Sequence, residues 1–467
     1  GFWAEARGFI SDGFLYNDMG AGADRELADP MDSWKNKNTL IGGFANVNLK
    51  YGDTYFLTAN YRRDGSSMFG DGNKWGDFYG ISLGVDAAKF FDIACLNRAK
   101  VRGGIGSTGN LPAEAYLSKD LYEPGDKFFI DGEYVPTYKP VRNSNPDLKW
   151  EVKTETNIGF DFGLFNYKVT GSMDYFVSNS SDLILLFNVP QDKNIADQTW
   201  LNVGELKNSG FEFAISWEAV EIGDFSWTTD FNFTKYLDTK LEKITTTEFE
   251  STGQLMTGEL GAPGYVGVNT IKLYEGEAIG QIIGPSFEGI VDERFTYSEN
   301  DTLSLGTGLP SFQFGWGNTV RYKQFDLSFF FRGVFGHSII NTNNLRYGSP
   351  STINIQSGMN IAKDYIEATN TPSFSDAVVE KADFVTLDNF ALGYTFTTNE
   401  SKYISRVRAY ISGQNLFTFT NYTGTSPEVR YTDTRDFNNP DPLAPGIDRG
   451  DTYFRTRSFT IGVNLTF

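Results

Sequence analysis

The amino-acid sequence predicts an all-β protein, an antiparallel transmembrane β-barrel. Three observations predict it: an alternating terminal segment, repeats of that pattern along the chain, and the absence of any long apolar run. The terminal segment, residues 455–467, reads RTRSFTIGVNLTF. Apolar and polar residues alternate in it, and successive side chains of a strand point to opposite faces. A closed barrel accommodates such strands in a bilayer, because its apolar side chains face lipid and its polar side chains face inward.

Composition narrows the function classes. The mean hydropathy is −0.33, and no segment approaches the roughly 18 apolar residues of a membrane helix. Aromatic residues make up 16% of the chain, and barrel strands place them toward lipid and at both interfaces. An aromatic-rich soluble β-sandwich fits the composition equally well. The net charge of −19 argues against a nucleic-acid partner, because phosphate binding needs a basic surface.

Fourteen segments have the length and alternation of barrel strands. In one of them, near 167–177, aromatic and apolar residues alternate with Lys168, Thr170, Ser172 and Asp174. Charges confined to one face fit a water-filled lumen. The segments lie near 1–10, 38–50, 54–63, 78–88, 98–108, 155–163, 167–177, 209–219, 225–236, 313–322, 325–335, 384–396, 404–416 and 455–467.

The connections between these segments alternate between short and long. Those after residues 163, 219 and 322 are a few residues long, whereas those after 108, 177, 236, 335 and 416 are tens of residues long. Outer-membrane barrels have short periplasmic turns and long extracellular loops. The alternation therefore predicts a multi-pass protein of the cell outer membrane with a periplasmic C-terminus. We expect extracellular loops near 11–37, 109–154, 178–208, 237–312, 336–383 and 417–454.

Acidic residues gather in the predicted loops, and one group comprises Asp18, Asp24, Glu26, Asp29 and Asp32. Solvation explains this group, and calcium binding is the alternative, since Ca²⁺ prefers carboxylate oxygens. We expect no other cofactor or metal. The single cysteine permits no internal disulfide. The opening GFWAEARGFI reads as a strand and lacks the regions of a signal peptide.

A series of motifs resembles the SusC/RagA family, the TonB-dependent outer-membrane transporters of Bacteroidetes. The resemblance is strongest from about residue 98 onward, and the motifs follow the family's order. They are VRGGIGSTGN (101–110), NPDLKWEVKTETNIGFDFGLF (145–165), GLPSFQFGWGN (308–318), FVTLDNFALGYTF (384–396), RVRAYISGQNLFTFTNYTGTSPEV (406–429) and RSFTIGVNLTF (457–467).

The resemblance implies a 22-strand barrel of which this chain supplies about the last 14 strands. The plug domain and the TonB-contacting segment of the family have no counterpart here, so we expect further N-terminal strands, a plug and TonB contact from elsewhere. The implied function is TonB-dependent import of oligomeric nutrients, oligosaccharides or peptides. The implied partner is a SusD-like surface lipoprotein that covers the barrel. No bond is broken, so we expect no enzyme activity and no catalytic residue.

Two groups of residues are candidates for contact with a transported molecule. The alternation places six charged side chains in the lumen, where we expect them to line the conduit: Lys168, Asp174, Asp326, Arg332, Arg406 and Arg408. Aromatic rings in long loops can stack on sugars or contact peptide side chains and a partner protein. Four such residues are Trp34, Tyr138, Trp200 and Tyr347.

Two alternative functions fit the same strand pattern. A complete 14-stranded passive porin or lipid-uptake barrel explains the strand count without a missing part. An outer-membrane barrel hydrolase is the enzyme alternative. Because His337 is the only histidine, a serine–histidine–acid triad could use only this residue. Neither alternative explains the ordered motifs.

Overall fold

The structure is a computed structural model of the 467-residue chain. It describes residues 35–91, 93–190, 192, 194–196, 198–244, 254–260, 264–265, 267–349, 365, 367–397, 404–428, 443–449 and 455–467.

Thirteen strands form one large antiparallel sheet in the described part of the chain. They are β1 (Leu40–Tyr51), β2 (Tyr55–Ser66), β3 (Trp75–Asp86), β4 (Leu96–Asn110), β7 (Glu151–Leu164), β8 (Val169–Ser181), β11 (Glu205–Ile222), β12 (Phe225–Lys243), β19 (Phe312–Tyr322), β20 (Phe325–Phe335), β23 (Phe384–Thr397), β24 (Arg406–Thr420) and β26 (Ser458–Thr466).

The other strands and the helices lie in the connections. The strands are β5 (Tyr122–Ile130), β6 (Glu133–Pro140), β9 (Ile184–Asn188), β10 (Gln198–Asn202), β13 (Gln254–Glu259), β14 (Asn269–Tyr274), β15 (Gln281–Gly284), β16 (Phe287–Val291), β17 (Arg294–Tyr297), β18 (Leu303–Thr307), β21 (Ser338–Asn341), β22 (Val379–Lys381) and β25 (Ile447–Asp448). The helices are α1 (Thr342–Tyr347) and two 3-10 turns, Ala87–Phe90 and Asp376–Val378.

Each strand of the large sheet pairs with the next sheet strand along the chain. This order confirms the predicted antiparallel all-β fold, and the thirteen strands match thirteen of the fourteen predicted segments. The remaining prediction, near 1–10, falls outside the described residues. Two edge strands, β1 and β26, each pair with a single neighbour within the part of the chain that the structure describes.

Tight hairpins close one end of the sheet. At the turn between β1 and β2, Gly52 and Asp53 both have positive φ angles, 57° and 53°, and the Thr54 N–H donates to the Tyr51 carbonyl at 3.1 Å. This backbone matches the right-handed twist of paired strands, and glycine adopts it without strain. Connections of two residues join β11 to β12 and β19 to β20. We call this end of the sheet the short-turn end.

One face of the sheet is apolar across its whole width. On β26 this face carries Phe459, Ile461, Val463 and Leu465, which are 48–85% exposed. At the short-turn end the same face carries aromatic rings that pack in pairs across strands. The Phe325 and Tyr394 rings lie 4.8 Å apart. This aromatic row on an exposed apolar band is typical of a membrane interface.

The described parts of the long connections fold together at the opposite end of the sheet. Residues from 244–311, 336–383 and 421–457 share a core that includes Ile271, Ile340 and Ile447, each at most 1% exposed. Ile340 of β21 pairs in parallel with Ile447 of β25. We call the described residues of these three connections the loop cap.

The strands extend further toward the loop cap than the sequence predicts. The segment predicted to end at 236 continues as β12 to Lys243, and its Leu241 is fully buried against Leu273 and Ile279 of the cap. A strand can extend beyond the apolar band of the sheet when side chains of the cap cover its end. Among the described residues, no helix is long and apolar enough to cross a membrane.

Candidate functional site

The second face of the sheet is polar, and the strand register places its side chains in continuous rows. One row runs from Arg102 through Gly159 and Asp174 to Glu212 and continues to Thr234. Because every neighbour is antiparallel and alternation has a period of two, this face stays polar from strand to strand. The polar face is therefore the candidate functional site.

The six predicted lumen residues follow this alternation. Asp174, Asp326, Arg332, Arg406 and Arg408 lie on the polar face, as their cross-strand partners show. Lys168 lies just before β8, and its Nζ is 3.8 Å from a carboxylate oxygen of Glu221. The structure places these residues on one face, and whether each contacts a transported molecule stays a prediction.

Arg102 joins three strands on the polar face. Its guanidinium donates to Asp174 at 2.7 Å, to Asp161 at 3.2 Å and to the Asn157 side-chain oxygen at 3.1 Å. It crosses β7 over Gly159, where an added Cβ would lie 2.6 Å from the guanidinium carbon. Glycine at this position therefore allows the close approach of the arginine.

Arg408 uses the same arrangement at the short-turn end. It crosses β23 over Gly393, where an added Cβ would meet its guanidinium. It then donates to both carboxylate oxygens of Asp326, with Nε 2.8 Å from Oδ1. A two-point arginine–carboxylate pair is among the stronger hydrogen-bonded ion pairs in proteins.

Arg332 connects the sheet to the loop cap. Its guanidinium donates to Asp388 at 2.8 Å and to Glu428 at 2.5 Å. Asp388 lies at a register shift between Leu387 and Asn389 in β23, and such a bulge redirects a side chain. Glu428 also accepts from Arg455. Arg332 thus holds the connection after β24 against the polar face.

Sequence reasoning missed Arg102, Asp161 and Glu428 as members of these networks. The sequence could have assigned Arg102 to the polar face, because this residue alternates with apolar residues in the strand VRGGIG. Its pairing with Asp174 depends on the register across β7. The Glu428 contact depends on long-range folding of a connection, which alternation does not encode.

The predicted loop aromatics lie in separate elements. Tyr138 is 52% exposed on the β5–β6 hairpin. Trp200, on β10, packs against a buried cluster that contains Phe69 and Trp150. The Tyr347 ring, in α1, lies 4.9 Å from the guanidinium carbon of Arg346. Trp34 falls outside the described residues, as does the acidic group between Asp18 and Asp32.

A partly buried polar network holds the loop cap together. Within it, Asn341 donates to Glu380 at 2.8 Å, and Glu380 also accepts from the Thr423 N–H at 2.8 Å. Asp448, 2% exposed, accepts from the Tyr422 hydroxyl at 2.9 Å. These bonds satisfy the buried Asp448 carboxylate and the half-buried Glu380 carboxylate. They join the connections after β20 and β24, so the cap has one defined arrangement.

His337 is a structural residue of this cap. It is 2% exposed, and its Nε2–H donates to the Pro427 carbonyl at 2.9 Å. Burial lowers the pKa of His337, which keeps the imidazole neutral. Its bonded partner is a backbone carbonyl, and a triad histidine needs a serine hydroxyl there. Among the described residues, no group of three or more His, Cys, Asp or Glu is placed to hold a metal ion.

The two-faced antiparallel sheet, short turns at one end and a folded cap at the other define the wall of an outer-membrane β-barrel. The chain belongs to the TonB-dependent receptor family: the family described as TonB dependent receptor-like, beta-barrel, matches residues 2–416. This membership confirms the resemblance to SusC/RagA proteins and the outer-membrane assignment at the level of the family.

Similar proteins agree with this membership. TonB-dependent receptor P3 of Formosa agariphila is 30% identical, over 100% of this chain and 49% of the relative. TonB-dependent receptor SusC of Bacteroides thetaiotaomicron is 27% identical, over 99% of this chain and 48% of SusC. The chain thus spans about half the length of these relatives.

Solved structures show the same fold. The structure of the RagAB peptide transporter superimposes with a TM-score of 0.74 at 18% identity, covering 92% of this chain and 48% of that chain. The 'open-open' state of the RagAB peptide importer gives a TM-score of 0.73 and covers 96% of this chain.

Proposed function

We propose that this chain forms the larger part of the barrel wall in a TonB-dependent importer of oligomeric nutrients, oligosaccharides or peptides. The observation that carries the proposal is the polar face, which runs without interruption across thirteen strands. A lumen bounded by such a face is wide enough for an oligomer, as in other large barrels. The transporter breaks no bond of its cargo and needs no catalytic residue.

The proposal includes further strands that pair with the sheet edges. In hydrocarbon, each unpaired N–H or C=O group costs several kcal/mol. All twelve residues of β1 are exposed, and β26 forms the other edge of the described sheet. Additional strands, a plug and the TonB-contacting segment complete the particle that we propose.

The proposal also includes a SusD-like surface lipoprotein over the loop cap. The cap supports this partner because it has its own core and a partly buried polar network, so it offers a defined surface. Exposed rings on the β5–β6 hairpin, including Phe128, Phe129 and Tyr134 at 58–70% exposure, add apolar area suited to a protein contact. The RagAB peptide importer supports a peptide as one class of cargo.

Topology is tested with protease-cleavable tags in the full-length protein. A tag after Asn300, in an exposed cap connection, should be cleaved on intact cells. A tag after Asn166, in the β7–β8 turn, should be cleaved only after the outer membrane is permeabilised. The reverse pattern would show that the long connections face the periplasm.

Import is tested by growth on oligomers of defined length as the sole nutrient. We expect a strain that lacks this protein to lose growth on one class of oligomer and to keep growth on the monomers. Loss of TonB should give the same result. Growth that needs this protein but persists without TonB would indicate a passive porin.

A further inference from the structure

Three cations stand at the border of the apolar face nearest the loop cap, and each lies over an aromatic ring. The charged group is 5.5 Å from the ring centre in the first pair and 5.8 Å in the other two. Such a cation keeps its charge in water while its apolar stem covers the sheet. The pairs are Arg63 with Trp75, Lys235 with Phe312, and Arg457 with Phe417.

Of these cations, Lys235 keeps an unpaired charge away from the sheet edges. Arg63 is neutralised by Asp77, with Nη1 3.6 Å from Oδ1. Arg457 comes just before β26, an edge strand of the described sheet. Lys235 forms no ion pair within the part of the chain that the structure describes, and the next carboxylate along β12, Asp238, is paired with another lysine.

The position of Lys235 does not depend on the parts of the proposed particle that lie outside this chain. The proposed plug lies in the lumen, on the other face of the sheet, and the proposed further strands join the edges β1 and β26. In the sheet, β2, β3, β4, β7, β8 and β11 separate β12 from β1, and β19, β20, β23 and β24 separate it from β26. Lys235 therefore stays on the outer surface of the wall in the complete particle.

Next to Lys235, toward the short-turn end, the apolar face carries a continuous cluster of phenylalanine rings. Neighbouring ring centres lie 4.9–6.5 Å apart across β11, β12, β19 and β20. Two of the rings stack with their planes only 8° apart, so the cluster presents a well-packed apolar surface. We call it the ring cluster, and its members are Phe213, Phe231, Phe233, Phe312, Phe314 and Phe335.

The depth of Lys235 matches a lipid head group. Ten residues separate it from Phe225, whose ring packs beside Tyr322 at the short-turn end, and ten residues span about 33 Å along a strand. With a strand tilt of about 40°, this length is about 25 Å along the membrane normal, the height of the apolar band. Lys235 thus stands at the border, and the ring cluster lies in the leaflet on the loop-cap side.

We propose that Lys235 and the ring cluster bind a phosphate-bearing lipid of this leaflet. The ammonium holds the phosphate as a point charge, and the acyl chains lie along the preformed surface of the rings. A lipid fits this surface better than a soluble protein does, because the ring cluster lies at the depth of the hydrocarbon. Only the assignment to the outer leaflet rests on the proposed function, and the binding itself does not.

Binding is measured by native mass spectrometry of the purified full-length protein in detergent. Dimyristoyl phosphatidylglycerol is the anionic probe, dimyristoyl phosphatidylcholine has the same chains and no net charge, and inorganic phosphate has no chains. We expect the first phosphatidylglycerol molecule to bind about fivefold more tightly than the first phosphatidylcholine molecule, because one charge contact is gained. Equimolar inorganic phosphate should not displace it, since the chains supply the rest of the contact.

Matched variants assign the first bound lipid to this site. Lys235→Gln should weaken phosphatidylglycerol binding about fivefold and leave phosphatidylcholine binding unchanged. Lys235→Arg keeps the charge and should keep the binding. Arg63→Gln is the control, because it removes a charge from the same border of the same face, where Asp77 already neutralises it. This control should bind phosphatidylglycerol nearly as the unmodified protein does.

Four results would overturn the proposal. They are equal affinity of the unmodified protein for the two lipids, equal weakening by Lys235→Gln and Arg63→Gln, displacement of the lipid by equimolar inorganic phosphate, and a lipid-free particle with the mass of two copies. The third would indicate a site for free phosphate, and the fourth would indicate that this face contacts a second barrel. Failure of import or of the topology test would leave the lipid measurement unaffected.

Discussion

Ile461, in the middle of β26, gives the most direct test of the two-faced sheet. It lies on the apolar face at 85% exposure and opposite Ile411 of β24. Its neighbour Thr460 lies on the polar face opposite Ser412. Ile461→Arg therefore places a charge toward lipid, whereas Thr460→Arg places the same charge on the polar face at nearly the same depth.

The depth of Ile461 sets the expected cost. Five residues separate it from Thr466 at the short-turn end, which is about 17 Å along a strand. With a strand tilt of about 40°, this length corresponds to about 13 Å along the membrane normal, half of an apolar band about 25 Å tall. Arginine facing lipid at mid-depth costs about 2–4 kcal/mol. Thr460→Arg should cost less than about 1 kcal/mol, because its side chain can stay in water.

The assay is urea unfolding of the full-length protein in lipid vesicles, followed by the gel-mobility shift of the folded barrel. Val463→Arg provides a depth series, since Val463 lies two residues closer to the interface and should cost less than Ile461→Arg. Equal destabilisation by Ile461→Arg and Thr460→Arg would refute the assignment of the two faces. A cost for Val463→Arg above that for Ile461→Arg would refute the depth.

Three further predictions address the polar face and the loop cap. Since the pKa of His337 is lowered by burial, the cap should keep full stability above about pH 6.5, the ordinary pKa of histidine, and lose it progressively as the pH falls from there through the lowered pKa of the folded state. His337→Gln, which keeps a donor for Pro427, should flatten this dependence in pH-dependent limited proteolysis, and an unchanged slope would contradict it. Gly159→Val should displace Arg102 and cost about 1–3 kcal/mol by overpacking, measured by thermal unfolding, whereas a neutral result would show that the arginine does not need this glycine. Ile340→Ala should destabilise the cap by about 2–5 kcal/mol, seen as faster proteolysis in the long connections with an unchanged barrel mobility shift; loss of that shift as well would show that cap and barrel unfold together.

The sheet could be predicted from the sequence because its signal is local. A one-residue slip would move Phe459 and Ile461 from lipid to the polar face, so alternation and turn positions together define each strand and its orientation. The same rule predicts from the sequence alone that Asp174, Asp326 and Arg408 lie on one face.

The loop cap could not be predicted because its contacts join residues far apart in the chain. Ile340 pairs with Ile447, 107 positions away. The sequence pattern of neither connection indicates which residues it pairs with. The charged networks could be predicted only in part. Strand alternation assigns Arg332 to the polar face. Its bond to Glu428, 96 residues further along the chain, requires both the bulge at Asp388 and the folded cap.

The pairing of charges along the polar face suggests where selectivity resides in the transporter that we propose. Arg98 and Arg102 balance Asp161 and Asp174. Arg332 and Arg455 balance Asp388 and Glu428. Balanced pairs produce little field beyond a few ångströms in water and salt, so this part of the wall should pass neutral and charged oligomers alike. Discrimination would then fall to the loop cap, which presents a defined surface. Substitutions at mid-depth should therefore alter stability more than cargo choice, and substitutions of exposed cap residues should do the reverse.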